Sequence, residues 1–227
     1  MYLLRVAARI VSALAPTLLL ATAASAGIIR GTLRVPAPGS AAPQLHGYAG
    51  SAGAMPGMHG PVRGRATDAV VYVAQIPAAA ESSLASAQGA RPKLAQKNES
   101  FVPRVVPVAV GTTVDFPNLD PIYHNVFSLS PIKRFDLGKY PRGQSKAVAF
   151  NKAGLVNVFC DIHSEMAAYI LVLPHHAFVQ PRADGTFDLP DLPAGRYELH
   201  VWHPDLNEIV RTVEVPAHGD VRVDLGY

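Results

Sequence analysis

Leu155-Val156-Asn157-Val158-Phe159-Cys160-Asp161-Ile162-His163-Ser164-Glu165-Met166-Ala167-Ala168-Tyr169-Ile170-Leu171-Val172-Leu173 is the stretch that decides the reading of this chain. Residues 155–159 and 169–173 are short runs rich in branched and aromatic side chains, which is strand composition. The segment between them is a short inter-strand loop. Cys160, His163 and Met166 therefore share one loop, spaced C-x2-H-x2-M.

Outward from this loop the same pattern recurs. Upstream, residues 105–110, 112–116, 125–129 and 146–150 read as strands. Turn residues separate them: Pro117-Asn118, Asp120-Pro121, Pro131, Pro141-Arg142-Gly143 and Ala153-Gly154. Short strands at regular spacing with turns between them predict an all-β sandwich or barrel. His124-Asn125 opens one of these runs, 36 residues before Cys160. Downstream, residues 177–180, 186–189, 196–202, 208–215 and 221–225 form a second strand series, with the tight-turn pair Asp184-Gly185 between its first two members. Near the start, residues 27–35 and 69–76 read as strands, separated by a Pro, Gly, Ala and Ser-rich loop over 36–65. Residues 77–97 leave room for a short helical turn and show no apolar stripe. The two early strands either complete the C-terminal sandwich or, for 69–76, open the middle one; the pattern leaves both open.

The residue types on the loop have a defined chemistry. A thiolate is a soft anionic donor, imidazoles serve both oxidation states of copper, and a thioether is a weak axial donor that tunes the potential. A tight loop between two strands, with a histidine from a neighbouring strand end, would hold four such donors nearly rigid. The Asn125 amide is placed to hydrogen-bond across to the loop and stiffen it. The bland alternative for Cys160 is a buried apolar thiol, common for a free cysteine; the agreement of His163, Met166 and His124-Asn125 argues against it. Zinc suits the set less well because methionine is a poor zinc ligand. A cysteine nucleophile lacks any residue to orient a base or build an oxyanion hole.

The compartment follows from the first 26 residues. Arg5 and Arg9 lie in a short basic segment, residues 10–21 are largely apolar, and Ala24-Ser25-Ala26 supplies a small-x-small cleavage pattern. The apolar run is too short to cross a bilayer comfortably, so the segment reads as a signal peptide and the protein as secreted, most simply into a bacterial periplasm. Of 20 basic residues, Arg5 and Arg9 fall within it, leaving 18 against 17 acidic, a net charge of +1. With no basic tract, nucleic acid is a poor partner, and no stable membrane insertion is expected after cleavage. Cys160 is the one cysteine, so it has no partner for an internal disulfide. In an oxidising compartment such a thiol must be buried, paired between chains or held by a metal.

On these residues, the stretch 98–174 resembles a cupredoxin, the blue copper fold of amicyanin and plastocyanin, with the short C-x2-H-x2-M loop nearer to amicyanin. The resemblance implies a Greek-key β-sandwich holding one mononuclear type 1 copper. Its ligands would be His124, Cys160, His163 and Met166, with Asn125 supporting them. Amicyanin-type loops commonly carry proline after the second histidine; here Ser164-Glu165 stands there, bringing a negative charge beside the metal. The stretch running from Asp184-Gly185-Thr186-Phe187 through Leu192-Pro193-Ala194-Gly195-Arg196-Tyr197 resembles a carboxypeptidase-regulatory or transthyretin-like sandwich over 177–227. The whole is similar to secreted proteins labelled as methylamine-utilisation proteins. What this implies is one-electron transfer with a partner dehydrogenase or cytochrome and no enzymatic activity of its own. His163 would be the exit, with Ile162, Ala167 and Ala168 as its apolar surround. The rivals are copper carriage or storage by the same donors, and a β-sandwich binding module with an incidental metal site.

The remaining histidines read as ordinary. His175-His176 is expected in an exposed linker, and His200 and His203 as surface or second-layer polar groups beside Trp202. Met55, Met58 and His59 form a candidate soft metal-acquisition loop. No H-x-H pair occurs among the nine histidines, which argues against a multicopper oxidase.

Overall fold

The structure is a computed structural model that describes residues 26–36, 64–87 and 89–227. The expected signal segment up to Ser25, and the loop with Met55, Met58 and His59, lie outside the described residues. The described chain is all-β apart from a nine-residue helix, Ala78–Ser86, and one 3-10 turn. Among the described residues no helix is long and apolar enough to cross a membrane.

Two separate cores organise the strands. The first sandwich has a five-stranded sheet in the order Val105–Ala109, Ala167–Leu173, Gly154–Phe159, His124–Ser130, Lys133–Tyr140. Facing it, Thr112–Pro117 pairs antiparallel with Ser145–Phe150. Isolated bridges tie Lys93 to Asp115 and Gln96 to Asn118, so the pairing of this sandwich begins before residue 98. Period-two alternation explains which residues turn inward. Val114 and Phe116 on one strand, Val148 and Phe150 on its partner, and Val156 and Val158 on a third all enter the first core. Continuing that period beyond Phe159 brings Cys160 to the same buried face.

The second sandwich takes strands from both ends of the described chain. Its four-stranded sheet runs Phe178–Val179, Val70–Val73, Gly195–His203, Leu206–Val215. The facing sheet sets Ile29–Arg34 between Thr186–Asp188 on one side and Val221–Arg222 and Leu225–Gly226 on the other. The strands near residues 29 and 70 thus both belong to the C-terminal sandwich, the question the sequence pattern left open. Phe187, Leu189, Leu192, Leu199 and Val201 fill its centre. Gly185 makes the tight turn before Thr186: its φ is +84°, and an added Cβ would stand 2.2 Å from the Leu33 carbonyl oxygen, so only glycine is comfortable there.

The two sandwiches share a seam built on Ala167–Leu173, a strand buried on both faces. Ala168, Ile170 and Val172 point into the first core. Leu171 and Leu173 point the other way and pack with Val70, Val105 and Trp202. Tyr169 meets the Trp202 ring edge to face at 5.9 Å. The strand that leaves Met166 is therefore also the strand on which the second sandwich rests.

Several details differ from the sequence expectation. Lys133–Tyr140 is an eight-residue strand where no strand was predicted; its charged residues alternate with half-buried Phe135 and Leu137, as suits a sheet edge. His175 is 5% exposed rather than part of an exposed linker: its Nδ1 accepts the Ala177 N–H at 3.2 Å. His176 binds Glu81 through its backbone N–H at 2.8 Å and its Nδ1 at 2.7 Å. Of the two placements open to His203, surface or second layer, its burial selects the second. Its Nε2 donates to the Arg65 carbonyl oxygen, its Nδ1 accepts the Asp205 N–H, and burial lowers its pKa below the ordinary histidine value.

Candidate metal centre

Two strands and one loop deliver the site. The strand His124–Ser130 begins with His124, fully buried at 0% exposure. The strand Gly154–Phe159 delivers Cys160 to the core, 4% exposed. The loop after it carries His163, whose side chain is 25% exposed. The Met166 N–H donates to the His163 carbonyl oxygen at 3.0 Å, closing the loop into a tight turn, and the Met166 side chain lies in the same core cluster as Cys160.

The donor atoms converge. His124 Nδ1 and His163 Nδ1 are 3.1 Å apart, and each lies 4.0 Å from Cys160 Sγ. These three residues are the one cluster of histidine, cysteine and carboxylate side chains with metal-binding geometry among the described residues. The outer nitrogen of His124 has a carboxylate partner: Nε2 lies 2.8 Å from Asp120 Oδ2. Burial disfavours a charged Asp120, but hydrogen bonds from the Glu99 N–H, from His124 and from the Asn98 N–H overcome it and hold the carboxyl below its usual range. An ionised carboxylate only accepts, so Nε2 is the nitrogen that donates to it, and Nδ1 is the nitrogen turned toward His163 and the thiol. Two imidazole nitrogens and a sulfur turned toward one point make an electron-rich pocket that a soft cation satisfies. The donor set fits copper: one thiolate, two imidazoles and a nearby thioether.

The surroundings brace these donors. Asn125 Oδ1 accepts the Asp161 N–H at 3.4 Å, and its Nδ2 donates to Asp136 Oδ1 at 2.7 Å, so one amide links the loop to the edge strand. The register shifts between Asn125 and Phe127 where His124–Ser130 meets Lys133–Tyr140, the kind of bulge that re-aims a side chain beside a site. Asn118 shapes the loop ahead of His124. Its Oδ1 accepts the Asp120 N–H, and its Nδ2 donates to the carbonyl oxygens of Ile122 and Tyr140, all at 2.9 Å.

The sequence expectation for the His163 surround needs correction. Ile162 is 41% exposed, but Ala168 is 1% exposed because it points into the first core. Exposed apolar side chains on the loop before His124, namely Leu119, Ile122 and Tyr123, went unremarked in the sequence. Glu165 is exposed on the loop, yet the carboxylate standing nearest His163 Nε2 is that of Glu99, at 3.9 Å. Asp120 and Glu99 were missed as site residues. Asp120 lies four positions before His124, a hint from residue type alone; Glu99 gives no local signal.

Comparison with models of known protein families gives no match, and neither does comparison with curated proteins. Part of the chain is similar to solved copper-protein structures. A copper-containing nitrite reductase from Thermus scotoductus SA-01 is 26% identical over 37% of this chain, with TM-score 0.36; the match spans 23% of that enzyme's length. The Cu(I) form of an amicyanin variant is 20% identical over 39% of this chain and 88% of its own, with TM-score 0.35. A purple cupredoxin from Nitrosopumilus maritimus is 20% identical over 36% of this chain and 98% of its own, with TM-score 0.33.

Proposed function

We propose that this chain is a periplasmic type 1 copper protein that carries single electrons between redox partners and has no catalytic activity of its own. His124, Cys160, His163 and Met166 would hold one copper, which when bound supplies the one-electron couple. The observation that carries this reading is the convergence of both Nδ1 atoms and Sγ on one buried point. Bracing on every side favours a donor set that changes little between oxidation states, which is the requirement for fast transfer.

Burial also favours electron transfer over copper handling. His124 and Cys160 are almost wholly shielded, and among the three converging donors only His163 reaches the surface. Releasing a metal ion to a recipient needs open ligands, whereas passing an electron needs one exposed edge. His163, beside exposed Ile162, is that edge, and a cytochrome or dehydrogenase is the partner class we propose to dock there. The test is visible absorption and EPR of the mature protein after Cu(II) addition, beside Cys160→Ala. An intense blue charge-transfer band with narrow copper hyperfine splitting, lost in the variant, supports the proposal. A colourless protein, or one unchanged by the substitution, overturns it and favours a β-sandwich binding module.

A further inference from the structure

Resting on the copper reading above, we propose that Asp120 is the positioning residue of the site. One buried carboxylate fixes the tautomer and aim of His124 and, with the same two oxygens, fixes the turn that sets Glu99 beside His163.

The geometry divides cleanly between its oxygens. Oδ2 accepts from His124 Nε2 at 2.8 Å and from the Glu99 N–H at 2.9 Å; Oδ1 accepts from the Asn98 N–H at 2.5 Å. Asp120 is 4% exposed, so water does not compete for these positions. Its own backbone is held by Asn118, which accepts the Asp120 N–H. A carboxylate has no proton to offer, so Nε2 is the ring nitrogen that donates to it. That leaves Nδ1 as the nitrogen turned to Cys160 and His163. A carboxylate behind a ligand imidazole also raises the basicity of the nitrogen in front.

The second arm of the network is conformational. Asn98 and Glu99 both have positive φ, +53° and +50°. Two consecutive side-chain-bearing residues rarely adopt the left-handed region unaided. Here the turn is closed by the Lys97 N–H donating to the Ser100 carbonyl oxygen at 2.9 Å, and both left-handed residues give their N–H groups to Asp120. The outcome is the Glu99 carboxylate 3.9 Å from His163 Nε2, on the edge proposed for electron exit. His124 and His163 thus each have a carboxylate at the outer nitrogen, and both placements depend on Asp120.

The experiment uses the full mature chain in wild-type, Asp120→Ala and Asp120→Asn forms. Without metal, long-range 1H–15N imidazole spectra report the His124 tautomer, and amide exchange reports the Asn98 and Glu99 N–H groups. We expect a single Nε2–H tautomer in the wild type, a mixed one in Asp120→Ala, and faster exchange at both amides. With Cu(II), binding should weaken about 10–100-fold, the usual effect of removing a ligand's hydrogen-bond partner. Where a tenfold loss falls on Cu(II) alone, the reduction potential rises by about 59 mV. If Asp120→Ala does not fold, the near-isosteric Asp120→Asn carries the same measurements. A folded variant with wild-type tautomer, amide exchange, Cu(II) affinity and potential overturns the proposal while leaving the copper reading intact. A wild type that forms no blue centre defeats the copper reading; the metal-free spectra then still decide whether Asp120 sets His124 and the Glu99 turn.

Discussion

Arg104 grips Asp205 with two parallel hydrogen bonds, of 2.6 and 2.7 Å, across the seam between the sandwiches. Arg104 leads into the strand Val105–Ala109 of the first sandwich, and Asp205 sits at the turn joining Gly195–His203 to Leu206–Val215 in the second. Asp68 lies 3.4 Å from the same guanidinium, and Tyr169 places its ring under it at 5.4 Å. All three charged side chains are largely buried, at 17%, 16% and 5% exposure. The seam therefore combines an apolar cluster with a charge-satisfied clamp.

Arg104→Ala leaves two shielded carboxylates without their cation. Removing one partner of a buried pair is strongly destabilising, and a loss of about 3 kcal/mol in urea unfolding is expected. Arg104→Ala together with Asp68→Asn and Asp205→Asn should recover part of that loss. A single-variant loss below about 1 kcal/mol, the range of exposed pairs, would show that the apolar contacts alone hold the seam.

His203 predicts a pH response in the second sandwich. Both its nitrogens are satisfied only in the neutral form, and its folded pKa is depressed, so the unfolded chain binds the proton more readily. This contribution is whole above the unfolded value of about 6.5 and is lost as pH falls from there through the folded pKa. Chemical denaturation at pH 7.5 and pH 5 should show the loss, and His203→Gln should flatten it. An unchanged slope in the variant would assign the response to other groups.

Gly31 lies where a side chain has no room. A Cβ there would stand 1.8 Å from the Val223 carbonyl oxygen and 2.7 Å from its carbon, both backbone atoms that cannot swing aside. Gly31→Ala should cost about 3 kcal/mol, the upper range for overpacking, with the copper spectrum unaltered. A melting temperature within a degree of wild type would mean that the two backbone segments separate there at little cost.

Met166→Leu separates packing from ligation. Met166 is 1% exposed in the first core, and leucine nearly conserves its volume, so the stability change should stay under about 1.5 kcal/mol. On the copper reading the same substitution removes the axial thioether and should change the EPR parameters and the potential of the loaded protein. A variant with wild-type spectra and potential would remove Met166 from the ligand set.

The sandwich character and the chemical loop were legible because they depend on neighbours in sequence. Alternation in residues 155–159 aims Cys160 inward, and the C-x2-H-x2-M spacing confines His163 and Met166 to the same turn. Lys133–Tyr140 was missed because an edge strand is only half covered, so its charges hide the apolar alternation. His175 was misread, and His203 was left between surface and second layer, because their burial depends on partners far along the chain: Ala74 is 101 residues from His175 and Arg65 is 138 from His203. Glu99 and Arg104 belong to the same class, since their significance exists only after folding brings His163 and Asp205 to them.

The pairing pattern also orders the birth of the molecule. Strands between residues 95 and 173 find all their sheet partners within that interval, whereas Leu33 must wait for Leu225 and Gly27 for Leu192. As the chain emerges from its N-terminus, the sandwich with the converging donors has everything it needs before the other can close. Low separation between partners favours rapid formation, so a chain cut shortly after His176 should keep the metal-site sandwich assembled while the early strands near residues 29 and 70 remain without mates.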